Sequence, residues 1–256
     1  MDMKKTFVVI TGMHRSGTSM FTSYLQKCGL YLGESLLPGD TGNTRGHFED
    51  SGVMHFHEEI LNRTGHRYIM QEMTPPAFDI REQEPARISD LVHKLDGGDV
   101  FGFKEPRTSL FLDLWNRSVP AEYDKTFIFL FRKPGQVVDS LLRRGTDPEV
   151  TAQPLTGYKC WYAYNSELLR FYSKNKSRCI FVSIDSFIQQ PQKGLDRINK
   201  KFGIHLSGPS LESVFEKKDF KHSSETTRKL RKSQGDVFVY FKCWQLYRRL
   251  QRLNLS

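Results

Sequence analysis

The sequence predicts an α/β fold, a three-layer sandwich in which a mostly parallel central sheet is flanked by helices. Short apolar runs that are typical of buried strands alternate along the chain with amphipathic helical patterns. The runs at residues 6–11 and 126–131 are almost continuously apolar, which is the pattern of parallel strands covered on both faces. A loop that contains two glycines joins the first run to the first helical pattern. In such sheets ligands bind beyond the carboxyl ends of the strands.

Length and composition indicate one large domain. The chain has 256 residues, of which 38% are hydrophobic and 26% are charged, as in an ordinary globular protein with a sizeable core. We interpret residues 1–256 as a single domain with an insertion at about 64–98 and a basic helical segment at about 217–256. The net charge of +9 comes mostly from that last segment, which carries 11 Lys and Arg against 3 Asp and Glu.

Composition also suggests where the protein resides. No apolar run reaches the roughly 18 residues of a membrane span. Because the chain leads directly into its first strand, we expect no cleavable signal. The cysteines show no metal-binding or redox spacing and have apolar neighbours, so we expect core thiols in a reducing, cytoplasmic location. They are Cys28, Cys160, Cys179 and Cys243.

The elements follow from the periodicity of apolar residues. Strands are predicted at residues 6–11, 100–103, 126–131 and 179–184. Helices are predicted at residues 19–28, 53–62, 88–95, 110–115, 134–144, 158–173, 191–202 and 237–253. Loops are predicted where Gly, Pro and polar residues accumulate, at residues 36–50, 68–86 and 145–157.

The loop at residues 12–19 (Gly-Met-His-Arg-Ser-Gly-Thr-Ser) has the layout of a P-loop, which binds phosphate between a strand and a helix. Backbone amides and the positive end of the helix dipole converge on an anion there. The usual motif has Lys where this chain has Thr18, and the cation lies within the loop as Arg15. We therefore expect an anionic nucleotide that is used differently from ATP.

Cationic side chains are predicted at the carboxyl ends of three strands. Arg15 lies in the loop after the first strand, and Lys104 and Arg132 directly follow two others, while Asp185 follows the last strand. Parallel strands bring these ends to one edge of the sheet. Mutual repulsion would be costly there unless an anion lies among the three cations.

Several segments occur in an order and at intervals that are typical of one enzyme family. They are residues 12–19, 46–50, 103–107, 129–140 and 182–204. With these segments the chain resembles the sulfotransferases that use 3′-phosphoadenosine-5′-phosphosulfate (PAPS). Gly-His-Phe-Glu-Asp at 46–50 and Phe-Lys-Glu-Pro-Arg at 103–107 look like segments of the bacterial and the protein-tyrosine or carbohydrate branches.

The resemblance implies that PAPS is the sulfuryl donor, that 3′,5′-ADP is the product and that no metal is required. It places the 5′-phosphosulfate on the loop amides of Ser16, Gly17, Thr18 and Ser19, with Arg15 as a charged donor that assists catalysis. The transfer itself depends mainly on positioning and charge stabilisation.

The resemblance also assigns roles outside the loop. Arg132 and Ser140 would bind the 3′-phosphate, for which a guanidinium fork is well suited. Lys104 would contact the transferring sulfuryl group and the leaving oxygen. Glu49 is the preferred catalytic base, with Asp50 and His47 as competitors.

Three features depart from the family pattern. Arg15 replaces the loop Lys of the branch that acts on hormones and phenols, and no His is an obvious base. His14 is an alternative candidate that would act inside the loop, but it is interpreted as a spacer whose ring packs on a neighbour. The basic clamp near that branch's C-terminus is absent as such, and four residues are considered as its replacement: Arg228, Lys229, Arg231 and Lys232.

Alternative functions stay open at this point. A P-loop small-molecule kinase would share the loop but lacks its Lys, and a non-catalytic anion-binding module would need only the basic charge. For a sulfotransferase we expect a carbohydrate or small-molecule acceptor rather than nucleic acid, bound by residues 68–86 and 145–157. An aromatic residue among 161–164 is a candidate to stack on adenine, although such a stripe is more often core.

The basic terminal helix at residues 237–253 has three interpretations. It packs on the core with a solvated basic face, or it helps to bind an acidic acceptor or the 3′-phosphate, or it makes peripheral contact with an anionic membrane surface. The first interpretation is preferred, with the second as an addition.

Overall fold

The computed structural model describes residues 4–39, 46–215 and 236–254. Within them, one sheet contains four parallel strands in the order β2-β1-β3-β4. These strands are β1 (Thr6–Thr11), β2 (Val100–Lys104), β3 (Asp124–Phe131) and β4 (Cys179–Ser183). Ile10 pairs with Lys104 and Thr11 pairs with Phe129, so the carboxyl ends of β1, β2 and β3 meet at one edge. The parallel sheet predicted from the sequence is confirmed.

Helices surround this sheet. They are α1 (Thr18–Lys27), α2 (Ser51–Arg63), α3 (Glu84–Leu95), α4 (Leu112–Ser118), α5 (Pro134–Arg144), α6 (Pro148–Ala152), α7 (Pro154–Lys174), α8 (Ile184–Gln189), α9 (Pro191–Phe202), α10 (Leu211–Val214) and α11 (Val237–Arg252). Short 3₁₀ helices cover Pro106–Leu110 and Lys176–Arg178.

Alternating side chains of the strands separate two apolar layers. Phe7 and Val9 of β1 point to the layer that contains side chains of α2 to α7 and α11. Val8 and Ile10 point to the opposite layer, which contains side chains of α1, α8, α9 and α10. Because successive strand residues face opposite sides, a strand covered on both faces must be apolar throughout. The three-layer α/β sandwich is therefore confirmed.

The largest departure from the predicted elements is in residues 145–157, which were predicted to be a loop. They contain α6 and the first turn of α7, which begin at Pro148 and Pro154. Proline is well tolerated at the first helical position, where its missing N–H has no intrahelical partner. Likewise the last strand ends at Ser183, and Asp185 belongs to the short helix α8.

The terminal helix α11 packs against the body of the protein. The Tyr240 ring lies 4.7 Å from the Tyr158 ring, and the Tyr247 ring lies 6.1 Å from the Phe131 ring. These contacts agree with the interpretation of a core-packed helix. The four residues considered as a replacement for the C-terminal clamp lie outside the described residues: Arg228, Lys229, Arg231 and Lys232.

The burial of the cysteines agrees with the expectation of core thiols. All four cysteines are buried and none forms a disulfide. None of the helices in residues 4–39, 46–215 and 236–254 combines the length and the apolar character that crossing a membrane requires.

Candidate functional site

The loop between β1 and α1 is held against the sheet by its two glycines. A Cβ atom added to Gly12 would lie 2.1 Å from the carbonyl oxygen of Leu130 on β3. Gly17, at the start of α1, has a φ of 83°, and an added Cβ would lie 2.6 Å from Cγ1 of Ile184. Side chains other than hydrogen are therefore excluded at both positions, and the backbone path of the loop is fixed.

The start of α1 supplies backbone donors to this loop. The Phe21 amide donates to the Gly17 carbonyl at 3.1 Å, so the Thr18 and Ser19 amides precede the first such bond of the helix. The Ser16 amide donates to the Met13 carbonyl at 3.1 Å, so it is used inside the loop, contrary to the cradle role expected for it. Ser16 instead offers a buried hydroxyl without a hydrogen-bond partner in the described structure.

Lys104 and Glu49 form a buried ion pair beside α1. Lys104 Nζ donates to Glu49 Oε1 at 2.6 Å and to the Ser19 hydroxyl at 3.3 Å. The exposed fraction is 1% for Lys104 and 7% for Glu49. The pair therefore lies at the carboxyl end of β2 and contacts the first turn of α1. An ammonium and a carboxylate in this setting can donate one proton and accept another.

The two rival base candidates have different surroundings. Asp50 Oδ1 accepts a hydrogen bond from the Val53 amide at 3.0 Å, which caps the N-terminus of α2. His47 is half-buried in the segment before it. Glu49 contacts Lys104 directly, whereas the Asp50 carboxylate is used to cap α2.

Arg15 and Ser140 are brought together although 125 positions separate them. Arg15 Nε donates to the Ser140 hydroxyl at 2.9 Å. Arg15 has a φ of 68°, which is uncommon for a residue with a side chain and is imposed by the tight loop. Two of the residues expected to bind the donor are thus adjacent at the loop.

Arg132 lies at the end of β3, close to a carboxylate. Its Nε donates to Gln136 Oε1 at 3.1 Å and lies 3.7 Å from Asp185 Oδ1. Burial lowers the pKa of the guanidinium; Asp185 opposes this effect and Arg143 adds to it. An anion that approaches this pair of cations would therefore stabilise the charged form of Arg132.

The three cations expected at the sheet edge are present there, and two of them face carboxylates of the protein itself. Glu49 pairs with Lys104 and Asp185 lies near Arg132. From the sequence alone, a bound anion was expected to relieve the repulsion among the three cations. In the structure, carboxylates of the protein itself reduce part of this repulsion.

The aromatic residues of α7 belong mainly to the core. Trp161 is fully buried and its Nε1 donates to the backbone oxygen of Arg132 at 3.0 Å. Tyr164 is also fully buried and donates to the backbone oxygen of Tyr68 at 2.8 Å. Tyr162 is half-buried. The expectation that these aromatic residues belong to the core is confirmed for Trp161 and Tyr164.

A buried network behind Glu49 was missed by the sequence analysis. Arg107 Nη1 lies 4.0 Å from Glu49 Oε2 and donates to Glu105 Oε1 at 2.5 Å. Trp115 Nε1 donates to His57 Nε2 at 2.8 Å, which leaves the ring proton on Nδ1, 2.8 Å from Glu105 Oε2. This chain of contacts anchors the guanidinium that faces Glu49.

The carboxylate in this network is held in its charged form. Burial by itself would raise the pKa of Glu105, but Arg107 and His57 outweigh burial and hold this pKa below its ordinary value. Glu105 Oε2 also accepts from the Thr108 amide at 3.1 Å. The only local signal was the tetrapeptide Lys-Glu-Pro-Arg at 104–107.

The two segments expected to bind an acceptor meet next to the loop. Tyr68 donates its hydroxyl proton to Asp147, and Arg144 Nη2 donates to both residues at 2.7 Å. Burial raises the pKa of Tyr68 to about 12, so its hydroxyl stays protonated. The Tyr68 ring lies 4.4 Å from the ring of His14 in the loop. The packing role expected for His14 is therefore confirmed.

His14 is held neutral by its surroundings. Burial lowers its pKa well below the ordinary value of 6.5, and four nearby cations act in the same direction: Arg107, Arg144, Lys104 and Arg15. Its Nε2 is buried and has no hydrogen-bond partner in the described structure. Protonation of this ring would place one more positive charge at the most cationic part of the site.

We expect the His14→Gln substitution to change how stability depends on pH. Because the unfolded chain binds a proton near pH 6.5 and the native site does not, His14 lowers the unfolding free energy as pH falls below about 6.5. The slope approaches about 1.4 kcal/mol per pH unit. Urea unfolding at several pH values should show this loss in the wild type but not in H14Q. His205→Gln, at an exposed position, is the matched control, and the same pH profile for both variants would contradict the prediction.

Comparison with solved structures shows the fold. The sulfotransferase domain of the Synechococcus PCC 7002 olefin synthase matches with a TM-score of 0.53 and 18% identity, over 96% of this chain and 97% of that one. A sulfotransferase from Alicyclobacillus acidocaldarius matches with a TM-score of 0.51 and 13% identity, over 97% of each chain. No protein-family model and no curated protein sequence matches the chain. The chain has the fold of these sulfotransferases.

Proposed function

We propose that the protein is a PAPS-dependent sulfotransferase that sulfates a hydroxyl group of a carbohydrate or small molecule. The observation that carries this proposal is the contact of 2.6 Å between Lys104 Nζ and Glu49 Oε1 beside the phosphate-binding loop. It places a proton acceptor and a cationic donor next to each other at the edge where a parallel sheet binds ligands. The shared fold with two solved sulfotransferases supports the same conclusion.

The residues present fit the charged ends of such a donor. The partnerless hydroxyl of Ser16, the first amides of α1 and the guanidinium of Arg15 surround the loop and suit a 5′-phosphosulfate. Arg132, at the end of the neighbouring strand, suits the 3′-phosphate. Burial and the nearby Arg143 both lower the pKa of its guanidinium, and a bound anion would offset both effects. We assign Ser140 to the same nucleotide through its bond with Arg15.

The proposed reaction follows from these roles. The acceptor oxygen bonds to sulfur, and the bond from sulfur to the bridging phosphate oxygen breaks, with its electron pair leaving on 3′,5′-ADP. Glu49 accepts the proton of the acceptor hydroxyl. Lys104 donates a hydrogen bond to the leaving oxygen, where negative charge develops. Ser19, at 3.3 Å from Lys104 Nζ, gives this ammonium a second partner when it turns from Glu49 toward the loop.

The acceptor would bind between the two segments that meet at Tyr68 and Asp147. Arg67 Nη1 donates to Glu149 Oε1 at 2.6 Å and extends this contact toward the surface. Tyr68, where the two segments meet, packs on His14 of the loop, so an acceptor held there would be near the reacting group. We also propose a reducing, cytoplasmic location, which the four free and buried thiols support.

Thermal-shift titration tests the proposed function against its two alternatives. A sulfotransferase is expected to be stabilised by 3′,5′-ADP without Mg²⁺, by about 5–10 °C at 100 times the dissociation constant, and little by ATP. Stabilisation by MgATP alone would indicate a kinase. No response to either nucleotide, with salt-sensitive binding to polyanions, would indicate an anion-binding module. Transfer of labelled sulfate from PAPS to pooled carbohydrate and small-molecule acceptors then tests turnover.

Arg132→Ala is expected to weaken binding of 3′,5′-ADP by about 10- to 100-fold, because a hydrogen-bonded charge partner of the 3′-phosphate is lost. Affinity for adenosine 5′-phosphosulfate, which lacks that phosphate, should be almost unchanged. Isothermal titration with both nucleotides measures the difference. Arg197→Ala, at an exposed position of α9, is the matched control, and equal losses for both nucleotides would remove Arg132 from this role.

A further inference from the structure

The outer face of α11 is apolar in its first two turns. Val237, Phe238, Phe241 and Trp244 have exposed fractions of 62%, 61%, 51% and 54%. In the part of the chain that the structure describes, these are the only large hydrophobic side chains that are exposed to this degree. A contiguous group of exposed aromatic residues indicates a surface that contacts another apolar phase.

The opposite face of α11 is fixed in the protein. Val239, Cys243, Leu246 and Leu250 are buried in the same apolar layer as α7. Residue Asn254, just beyond the helix, accepts a hydrogen bond from the Ser183 amide at 2.7 Å through its Oδ1. Because both the buried face and the end of the helix are anchored, the exposed rings cannot turn inward by rotation of α11.

Positive charge accompanies the exposed rings. Lys242 Nζ lies 5.4 Å from the centroid of the Phe238 ring, and the Arg248 guanidinium lies 5.5 Å from that of Trp244. Arg249 and Arg252 follow in the last turns, and residues 237–254 contain no Asp or Glu. The preceding residues 216–236 add 7 Lys and Arg against 4 Asp and Glu in sequence. The outer face thus has an aromatic first half and a basic second half.

We propose that this outer face of α11 docks on an anionic lipid bilayer, independently of the sulfotransferase activity. The helix lies in the plane of the membrane interface, with its aromatic side chains at the boundary between headgroups and acyl chains. The arginines contact lipid phosphates and the basic charge is attracted to the anionic leaflet. A second copy of the chain is a poorer occupant, because two faces of the same positive charge would repel each other.

Trp244 provides a direct reporter of docking. The other two tryptophans, Trp115 and Trp161, are fully buried, whereas Trp244 is exposed. Entry of the Trp244 indole into the interface is therefore expected to shift the emission of the full-length protein to shorter wavelength. Vesicles of phosphatidylcholine with about one-third phosphatidylserine serve as the probe. Trp244→Phe should abolish the spectral shift while the protein still sediments with the vesicles.

Two groups of substitutions test the two halves of the face. Phe241→Ser with Trp244→Ser should reduce vesicle binding by about 10- to 100-fold through lost apolar contact. Neutralising Arg248, Arg249 and Arg252 to Gln should reduce it by about 100-fold, since each charge contributes about fivefold. All five residues are exposed, so thermal unfolding midpoints should stay near that of the wild type.

A matched control removes the same number of charges from the other side of the sheet. Lys193, Arg197 and Lys200 of α9 are exposed and belong to a helix that packs on the opposite layer. Their replacement by Gln should leave vesicle binding within about twofold of the wild type. An equal loss for this control would show that net charge alone is responsible and would overturn the proposal.

Other outcomes would also overturn it. Absence of sedimentation with anionic vesicles at moderate salt would refute membrane docking. Unchanged binding of the aromatic variant would show that the rings do not enter the bilayer. A spectral shift with poly-glutamate but none with vesicles would assign the face to an acidic protein, and concentration-dependent dimerisation lost in the aromatic variant would assign it to a second copy of the chain.

Discussion

Replacing Glu49 by Gln is expected to lower kcat for sulfuryl transfer by about 100- to 10,000-fold, the usual contribution of a general base. The amide oxygen of Gln still accepts a hydrogen bond from Lys104, so the 2.6 Å contact and the donor affinity should be largely retained. The amide cannot accept the proton of the acceptor hydroxyl at neutral pH. Steady-state kinetics with PAPS and the best acceptor, together with titration of 3′,5′-ADP, separate these two effects.

The neighbouring carboxylate offers a matched control. Asp50→Asn removes a negative charge at the next position but retains a side chain that caps α2 as well as Asp does. We expect it to change kcat less than about threefold. If instead D50N loses activity and E49Q keeps it, the base is Asp50 and the assignment of Glu49 is wrong.

Replacing Lys104 by Met is expected to lower kcat by about 100- to 1,000-fold, as the loss of one preorganised donor to developing charge does in other enzymes. Met preserves most of the apolar length of this side chain, which is only 1% exposed. Folding should survive because Arg107 Nη1, at 4.0 Å from Glu49 Oε2, still faces the carboxylate that loses its partner. Single-turnover rates at saturating PAPS measure the effect on chemistry rather than on product release.

The double variant shows whether the two residues act as one unit. Residues in direct contact give non-additive effects, so E49Q/K104M should be clearly more active than the product of the two single losses implies. Lys94→Met, at an exposed position in the last turn of α3, is the control for loss of one lysine. Strictly additive losses would mean that Lys104 and Glu49 act in separate steps.

The strands of the sheet were predictable because their burial determines the residue types within each strand. Each strand is buried on both faces, so the runs at 6–11 and 126–131 are almost continuously apolar and stand out in the sequence. The loop was predictable for a similar reason, since Gly12 and Gly17 occupy positions where no side chain fits. By contrast, α6 and the start of α7 were missed because Pro148 and Pro154, which begin these helices, also favour loops.

The contacts of the site depend on long-range packing and leave little trace in sequence. Lys104 was located by its position at a strand end, but its partner Glu49 precedes it by 55 positions. Similarly, nothing in the local sequence around His57 indicates that its ring joins Trp115 to Glu105. Residue types at strand ends can thus be predicted, whereas the pairs that they form require the tertiary structure.

The contact between Gly12 and β3 fixes how far the loop at residues 12–19 lies from Arg132. The loop backbone at Gly12 lies directly against the carbonyl of Leu130, and Leu130 precedes Arg132 by two positions. The distance between the loop and Arg132 is consequently set by backbone packing and strand pairing, which side-chain motion changes little. A nucleotide would be selected by the separation of its two anionic groups as well as by their charge, so analogues with the second phosphate moved to the 2′ position should be discriminated against even though their net charge is the same.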